Sequence, residues 1–423
     1  MIKPISFCIN TSRNELEYVK LLFKSLKNNL KSDEHEIIVF IDSDNENTFE
    51  WLLEQKAEFK DLKILKNILP VCYGYARNIN EMFKFASHDI VSYLQSDMVI
   101  SKDYDEYVLK HVKPNMILSS TRIEPPLHGP GPEKYTMNFG FTPSEFKYEE
   151  FLKYCEGNRR DNSTEYFFAP FTMYRDVWNR IGGHDTLFRR SREDSDILNR
   201  LILSGVQIVQ TWDALVYHFT CTSSRGKGWF DKSNKQAQLR ARVQEQADGV
   251  ELNRMFRKWG GFSHGKPFNY HYNIVANIKF DSANLMLLPI VEVFFDKVGV
   301  SHKDAYDYLV NADEHKHANE LLNFNQEDWN TYSYLYNTQD LQDRFVLGEV
   351  QGDVVVTFNL SQINQDNYNE VLQNLQHIVH NGEEGDWEVG GLILSINNKV
   401  NNIEDRIKIT NPEIKPEHIY EVY

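Results

Sequence analysis

The chain has 423 residues, of which 41% are hydrophobic and 13% aromatic, so it is long enough for two packed units and is not a disordered or fibrous sequence. Its net charge of −15 lies wholly in residues 261–423, with 10 Lys+Arg against 25 Asp+Glu, while residues 1–260 balance 36 against 36. Neither half has the basic excess that neutralises a phosphate backbone, which counts against nucleic acid as the main ligand without excluding it.

Residues 5–10 read as a first buried strand, which follows the N-terminus with no signal-peptide core. Thr11 to Arg13 read as a loop, and Leu16, Val19, Leu22, Phe23 and Leu26 then recur at helical spacing. Residues 36–42 form a continuous apolar strand that ends in Asp42, and residues 48–56 look helical. A short strand at 62–65, a helix at 75–85 and a strand at 90–94 continue the alternation. Strands apolar throughout, alternating with helices, predict a doubly wound, mostly parallel α/β sheet. Ligands in such sheets sit beyond the carboxyl ends of the strands, so Thr11, Arg13, Asp42, Asp44 and the run Gln95-Ser96-Asp97 become candidates by position.

Residues 119–165, rich in Pro, Gly and aromatics, read as a long loop or lid. Residues 165–174 are expected as a strand, and 206–209 and 215–219 as two more. Thr222 to Gly228 is a small, basic loop with glycines that permit movement. Beyond about 260 the pattern turns to polar, acidic helices, and the most apolar run there, 284–295, is broken by Pro289 and Glu292 and too short for a membrane span. A strand-helix-strand unit is expected at 353–358, 368–380 and 391–396. The domain reading is therefore 1–260 and 261–423, the second being a mainly helical α+β accessory region with a small α/β unit at 350–410. Its tyrosines, Tyr306, Tyr308, Tyr332, Tyr334 and Tyr336, suit packing on the first domain or on a second copy in a homo-oligomer. Cys8, Cys72, Cys155 and Cys221 are scattered without a CxxC pair, which predicts buried thiols in a reducing cytoplasm.

The most informative stretch is Gly182-Gly183-His184-Asp185 followed by Arg192-Glu193-Asp194-Ser195-Asp196. It sets a turn before an acidic helix start whose apolar stripe is Ile197, Leu198 and Leu201. Three acids in four residues fit two readings: helix capping against the macrodipole, or a carboxylate that takes a proton beside one that grips a hydroxyl. Asp97 at a strand end and His218 in a late apolar strand offer an oxygen and an imidazole, a donor set suited to Mn²⁺ or Mg²⁺. Singly, each also reads as a turn former and a core histidine.

Taken in order, these pieces resemble a family 2 glycosyltransferase of the GT-A fold over roughly residues 4–225, and the Gly182 to Leu201 block is similar to the C-terminal half of β-1,4-galactosyltransferases. The resemblance implies that Thr11 and Arg13 lie in the nucleotide-contacting loop, that Asp42 reads the base, and that Arg77 and Ser96 lie beside the donor. It implies Asp97 and His218 as metal ligands, Asp194 as general base, and Glu193 and Asp196 as its acceptor- and sugar-binding neighbours. Gln95 departs from the family's DxD motif, whose first residue is an acid, which weakens the expected metal affinity. Arg225 and Lys227 stand where related enzymes carry a closing flap and are read either as diphosphate contacts or as solvated charges. The implied activity is inverting, metal-dependent transfer of a hexose from a UDP- or GDP-linked donor to a hydroxyl of a glycan or saccharide acceptor. Two other readings stay open: a phage-type enzyme that glycosylates modified DNA bases, and a catalytically silent nucleotide- or glycan-binding module.

Overall fold

The computed structural model describes residues 2–68, 72–186, 188, 191–220, 251–252, 255, 274–280, 285–292, 295, 297–310, 345–352, 354–364, 366–367, 370–371, 384–390, 392–398 and 420–423. The chain divides into two compact units, Met1–Gln244 together with Asn411–Tyr423, and Glu245–Thr410. The break thus falls at 244/245 against the expected 260, and the chain's end returns to the first unit.

In the first unit, β1 (Ile5–Thr11), β2 (Glu36–Ile41), β3 (Leu62–Asn67) and β4 (Ile90–Gln95) alternate with α1 (Leu16–Asn29), α2 (Thr48–Gln55) and α3 (Tyr75–Phe85). Then follow β5 (Met98–Ile100), α4 (Tyr104–His111), β6 (Met116–Glu124), β7 (Lys134–Thr136), α5 (Tyr148–Asn158), β8 (Ser163–Thr164), β9 (Phe171–Tyr174), α6 (Arg175–Ile181), α7 (Glu193–Leu203) and β10 (Gln207–His218). Alternate side chains of one strand feed two different cores. Ile5, Phe7 and Ile9 join Ile37, Val39 and Ile41 beneath Val19, Leu22, Phe23 and Leu26 of α1. Cys8, Ile38 and Phe40 pack on the opposite face against Ile79 and Met82 of α3, Trp178 of α6 and Ile197 of α7. Burial on both faces is what a parallel sheet with helices on each side requires. The expected doubly wound, mostly parallel architecture is the one found.

The strands run in the order β3-β2-β1-β4-β9-β6-β10-β5. β1 is parallel to β2 and β4, while β9 is antiparallel to both β4 and β6, and β6 is parallel to β10. The carboxyl ends of β1, β2, β4, β6 and β10 therefore share one edge.

Three expectations need correction. The 119–165 segment is not a single lid: it begins inside β6, a nine-residue strand in the middle of the sheet, and includes α5. Residues 116–124 are buried as in a central strand, although Ser119, Ser120 and Thr121 are polar and Arg122 is half-buried, and the prolines that follow mark the strand's end. The strand expected at 165–174 is confined to Phe171–Tyr174. The two strands near 206 and 215 are one, β10, with an irregularity between Thr211 and Leu215 that shifts its register on β6.

The second unit is built on a sheet larger than the strand-helix-strand expected there: β11 (Ile274–Lys279), β12 (Lys297–Val300), β13 (Phe345–Leu347), β14 (Val354–Asn359), β15 (Gly385–Val389) and β16 (Leu392–Asn398). Its order is β13-β12-β11-β14-β16-β15, with the first four parallel. Back in the first unit, β17 (Tyr420–Val422) pairs antiparallel with β3 at the sheet's outer edge. No helix among the described residues is long and apolar enough to cross a membrane. Cys8 and Cys155 are buried thiols, Cys72 is half-buried, and Cys221 lies outside the described residues.

Candidate active site

The shared carboxyl edge gathers Thr11 from β1, Asp42 after β2, Gln95-Ser96-Asp97 after β4, Glu124 from β6 and His218 from β10. Pairing register brings two of them together. β5 runs antiparallel to β10 with Met98 opposite His218, and the Phe219 N–H donates to the Asp97 carbonyl at 3.1 Å. Asp97 Oδ1 and His218 Nε2 consequently lie 3.6 Å apart, both largely buried. On the other side of the ring, Nδ1 lies 2.9 Å from Glu124 Oε1. With Glu124 accepting from Nδ1–H, Nε2 keeps its lone pair toward Asp97, the arrangement by which a carboxylate orients a metal-binding imidazole.

Glu124 is held in turn by Lys134 Nζ at 2.7 Å and Arg122 Nη1 at 3.3 Å. Burial opposes its charge, yet the His218 hydrogen bond and the neighbouring positive groups keep its carboxyl well below the usual range. The oxygen-plus-imidazole pair fits a Mn²⁺ or Mg²⁺ ion, since bonds of about 2.1 Å to each ligand reach across the gap. A different cluster, His111, Asp161 and Asp213, is an ion pair already complete: Lys110 Nζ lies 2.8 Å from both carboxylates.

The β1–α1 loop is anchored by a residue that composition did not single out. Glu15, only 2% exposed, accepts on Oε2 from the Ser96 hydroxyl (2.6 Å), the Ser12 N–H (2.9 Å) and the Thr11 hydroxyl (3.1 Å). Burial, partly offset by the Ser96 hydrogen bond and reinforced by the charge of Asp97, pushes its carboxyl up to about 7. Asp42 is nearly buried, and its carboxylate accepts from the backbone N–H of Tyr73 and, at 3.0 Å, of Gly74. It thereby fixes the entry to α3, where Arg77 lies over the Tyr73 ring at 5.0 Å. Asp44 accepts from the N–H groups of Glu46, Thr48 and Phe49 and so holds the start of α2. Arg13 is half-buried.

The Gly182-Gly183 turn carries positive φ at both glycines, and a Cβ on Gly183 would meet Asn80 Oδ1 at 2.5 Å. That close approach lets Asn80 of α3 bond both the N–H and the carbonyl of His184, each at 2.8 Å. His184 is buried on Trp178, and burial followed by the nearby Arg200 charge lowers its imidazole to about 3. This neutral ring supports the start of α7, its Nδ1–H donating to the Glu193 carbonyl over 3.2 Å. Asp194 and Glu193 are half-buried in the first turn of α7, and Asp194 Oδ1 accepts from the Ser195 N–H at 2.7 Å. Asp196 does not share their position. It is fully buried with Arg200, whose Nε and Nη2 lie 2.9 and 2.8 Å from Asp196 Oδ2, so in this structure it braces the helix instead of facing a sugar.

Residues 8–180 match the family model described as Glycosyl transferase family 2. The match runs from β1 into α6. Among curated proteins no sequence matches the chain. Among solved structures, similarity extends to GalNAc-T7 with UDP, GalNAc and Mn²⁺, at 13% identity and a TM-score of 0.41, covering 51% of this chain and 44% of that one. TarS of S. aureus is similar at 15% identity and a TM-score of 0.37, covering 60% of this chain and 43% of that one. The mannosyltransferase PcManGT of Pyrobaculum calidifontis, in complex with GDP-Man and Mn²⁺, is similar at 14% identity and a TM-score of 0.41, covering 80% and 87%. The chain thus spans less than half the length of the first two.

Within the matched residues 8–180, the sheet edge unites Thr11, Asp42, Ser96 and Asp97, and β10 adds His218 from beyond them. Arg225 and Lys227, with the expected flap at 222–229, lie outside the described residues. Glu15, Glu124 and Asn80 escaped sequence reasoning. Glu124 had one usable signal, an acid closing a nine-residue strand immediately before Pro125-Pro126.

Proposed function

We propose that the protein is an inverting, divalent-metal-dependent glycosyltransferase. It moves a hexose from a UDP- or GDP-linked donor to a hydroxyl of a glycan acceptor. The observation that carries this reading is the Asp97–His218 pair at 3.6 Å, oriented by Glu124, on the carboxyl edge of a family 2 domain. Asp97 and His218 would hold the ion, and a bound ion supplies positive charge to the leaving diphosphate. Thr11, Arg13, Ser96 and Arg77 are assigned to the donor, with Asp42 shaping the base side through the Tyr73–Gly74 backbone.

Asp194 is assigned as general base. The acceptor oxygen bonds to the anomeric carbon as the bond from that carbon to phosphate oxygen breaks. The hydroxyl proton passes to the Asp194 carboxylate, and the nucleoside diphosphate leaves with the electron pair. Attack opposite the leaving group inverts the centre. A positioned carboxylate in this role contributes about 10²–10⁴-fold. Asp196 is withdrawn from the substrate-binding set because Arg200 occupies it.

The test is thermal melting with UDP, GDP and their sugars, each with and without Mn²⁺. Ligand at 100 times its Kd adds about 2.7 kcal/mol, an easily measured shift. A metal-dependent shift with one nucleotide class is expected, and no shift with any of them removes the reading in favour of a silent module.

A further inference from the structure

Gln95 leaves the strand-end motif one carboxylate short, and the fold brings an acid from another element to the adjacent Ser96. Glu15, at the head of α1, reaches across to the turn after β4 and takes the Ser96 hydroxyl at 2.6 Å. The same oxygen holds Thr11 and Ser12, so one side chain ties the β1–α1 loop to the residue preceding Asp97. Its other oxygen, Oε1, is buried with no hydrogen-bond partner. A buried acceptor left unmade costs about 1–3 kcal/mol and is retained where something else needs the group.

We propose that Glu15 is a positioning residue of the cation site, fixing the Ser96–Asp97 turn so that Asp97 meets His218 and offering Oε1 to a water carried by the ion. This inference rests on the proposed function. It assigns no direct bond from Glu15 to the cation: among the described residues, Glu15 does not fall in a cluster of ligand atoms close enough to share one with Asp97 and His218.

The experiment is Mn²⁺ binding to the full chain, followed by the electron paramagnetic resonance signal of free Mn²⁺, in the presence of UDP and separately of GDP. Glu15→Gln keeps size and an acceptor for Thr11, Ser12 and Ser96 but removes the carboxylate. Ser96→Ala cuts the same link from its other end. Each is expected to weaken Mn²⁺ about ten-fold, the lower end of what losing an outer partner of a metal ligand costs. Melting of the ligand-free proteins checks that each variant is folded, and a purely structural role would move melting without moving Mn²⁺ affinity in the folded fraction. Affinity within two-fold of wild type in either folded variant overturns the inference alone. Wild type that binds no Mn²⁺ with either nucleotide overturns the proposed function and this inference with it.

Discussion

Asp196→Ala separates the two roles that the acidic helix start of α7 suggests. Asp196 and Arg200 are both fully buried, joined by contacts of 2.9 and 2.8 Å, and Arg200 Nη1 also donates to the Ile181 carbonyl at 2.8 Å. Removing the acid strands a guanidinium with no route to water. Breaking such a pair costs about 3–5 kcal/mol, a large share of the roughly 5–15 kcal/mol that holds a domain together. At an m-value of about 2 kcal/mol/M, the urea midpoint of the first unit should fall by ~2 M. Circular dichroism and tryptophan fluorescence, read together, show whether their transitions coincide. The double variant Asp196→Leu/Arg200→Met removes both charges and should recover most of the loss. Wild-type stability in Asp196→Ala, accompanied by lost turnover, would refute the structural role and return Asp196 to the substrate.

Asp194→Asn should lower kcat by about 10²–10⁴-fold with nucleotide-sugar binding retained, a split seen by pairing initial rates with melting shifts. Glu124→Gln should raise the Mn²⁺ concentration needed for half-maximal activity by about 10–100-fold, and an unchanged metal titration would show that His218 does not depend on it. Glu15 gives a pH signature. Its folded carboxyl sits at about 7, above the value of 4.5 for a free side chain, so the unfolded chain releases that proton first and stability falls as pH rises from 4.5 to 7. Relative to wild type, Glu15→Gln should therefore gain stability between pH 4.5 and 8, and parallel stability curves across that range would contradict the assignment.

Much of the first unit is legible because its signals are local. The Ile5, Phe7, Ile9 and Cys8 alternation, the α1 stripe and the acid closing β2 each need only a few neighbouring residues to be read. β6 is obscured because Ser119, Ser120, Thr121 and Arg122 interrupt its apolar residues, while the prolines and glycines after it dominate the composition. β10 was split because residues 211–214 break the apolar pattern, although the backbone continues through them. Among site residues, Asp97 and His218 are far apart in sequence and were found as residue types suited to a metal; β5 pairing is what makes them neighbours. Glu15 gave no signal, since an acid near a helix start is common and its partners, Thr11 and Ser96, come from two strand ends. Asp196 differs for the opposite reason: its i,i+4 spacing to Arg200 is visible in the sequence, but only the structure shows that the two are buried together as a pair.

The pairing of β17 with β3 has a consequence for how the chain is made. Tyr423 exchanges backbone hydrogen bonds with Ile64, while the Tyr420 hydroxyl donates to Glu81 and its ring packs on Phe40 and Phe85. During synthesis β3 emerges early and waits, with a bare strand edge, until the whole second unit has followed it from the ribosome. Such an edge is a template for pairing with other chains. Completion of the first sheet is therefore a late event, joined across most of the polypeptide, and shortening the chain from its C-terminal side restores that open edge permanently.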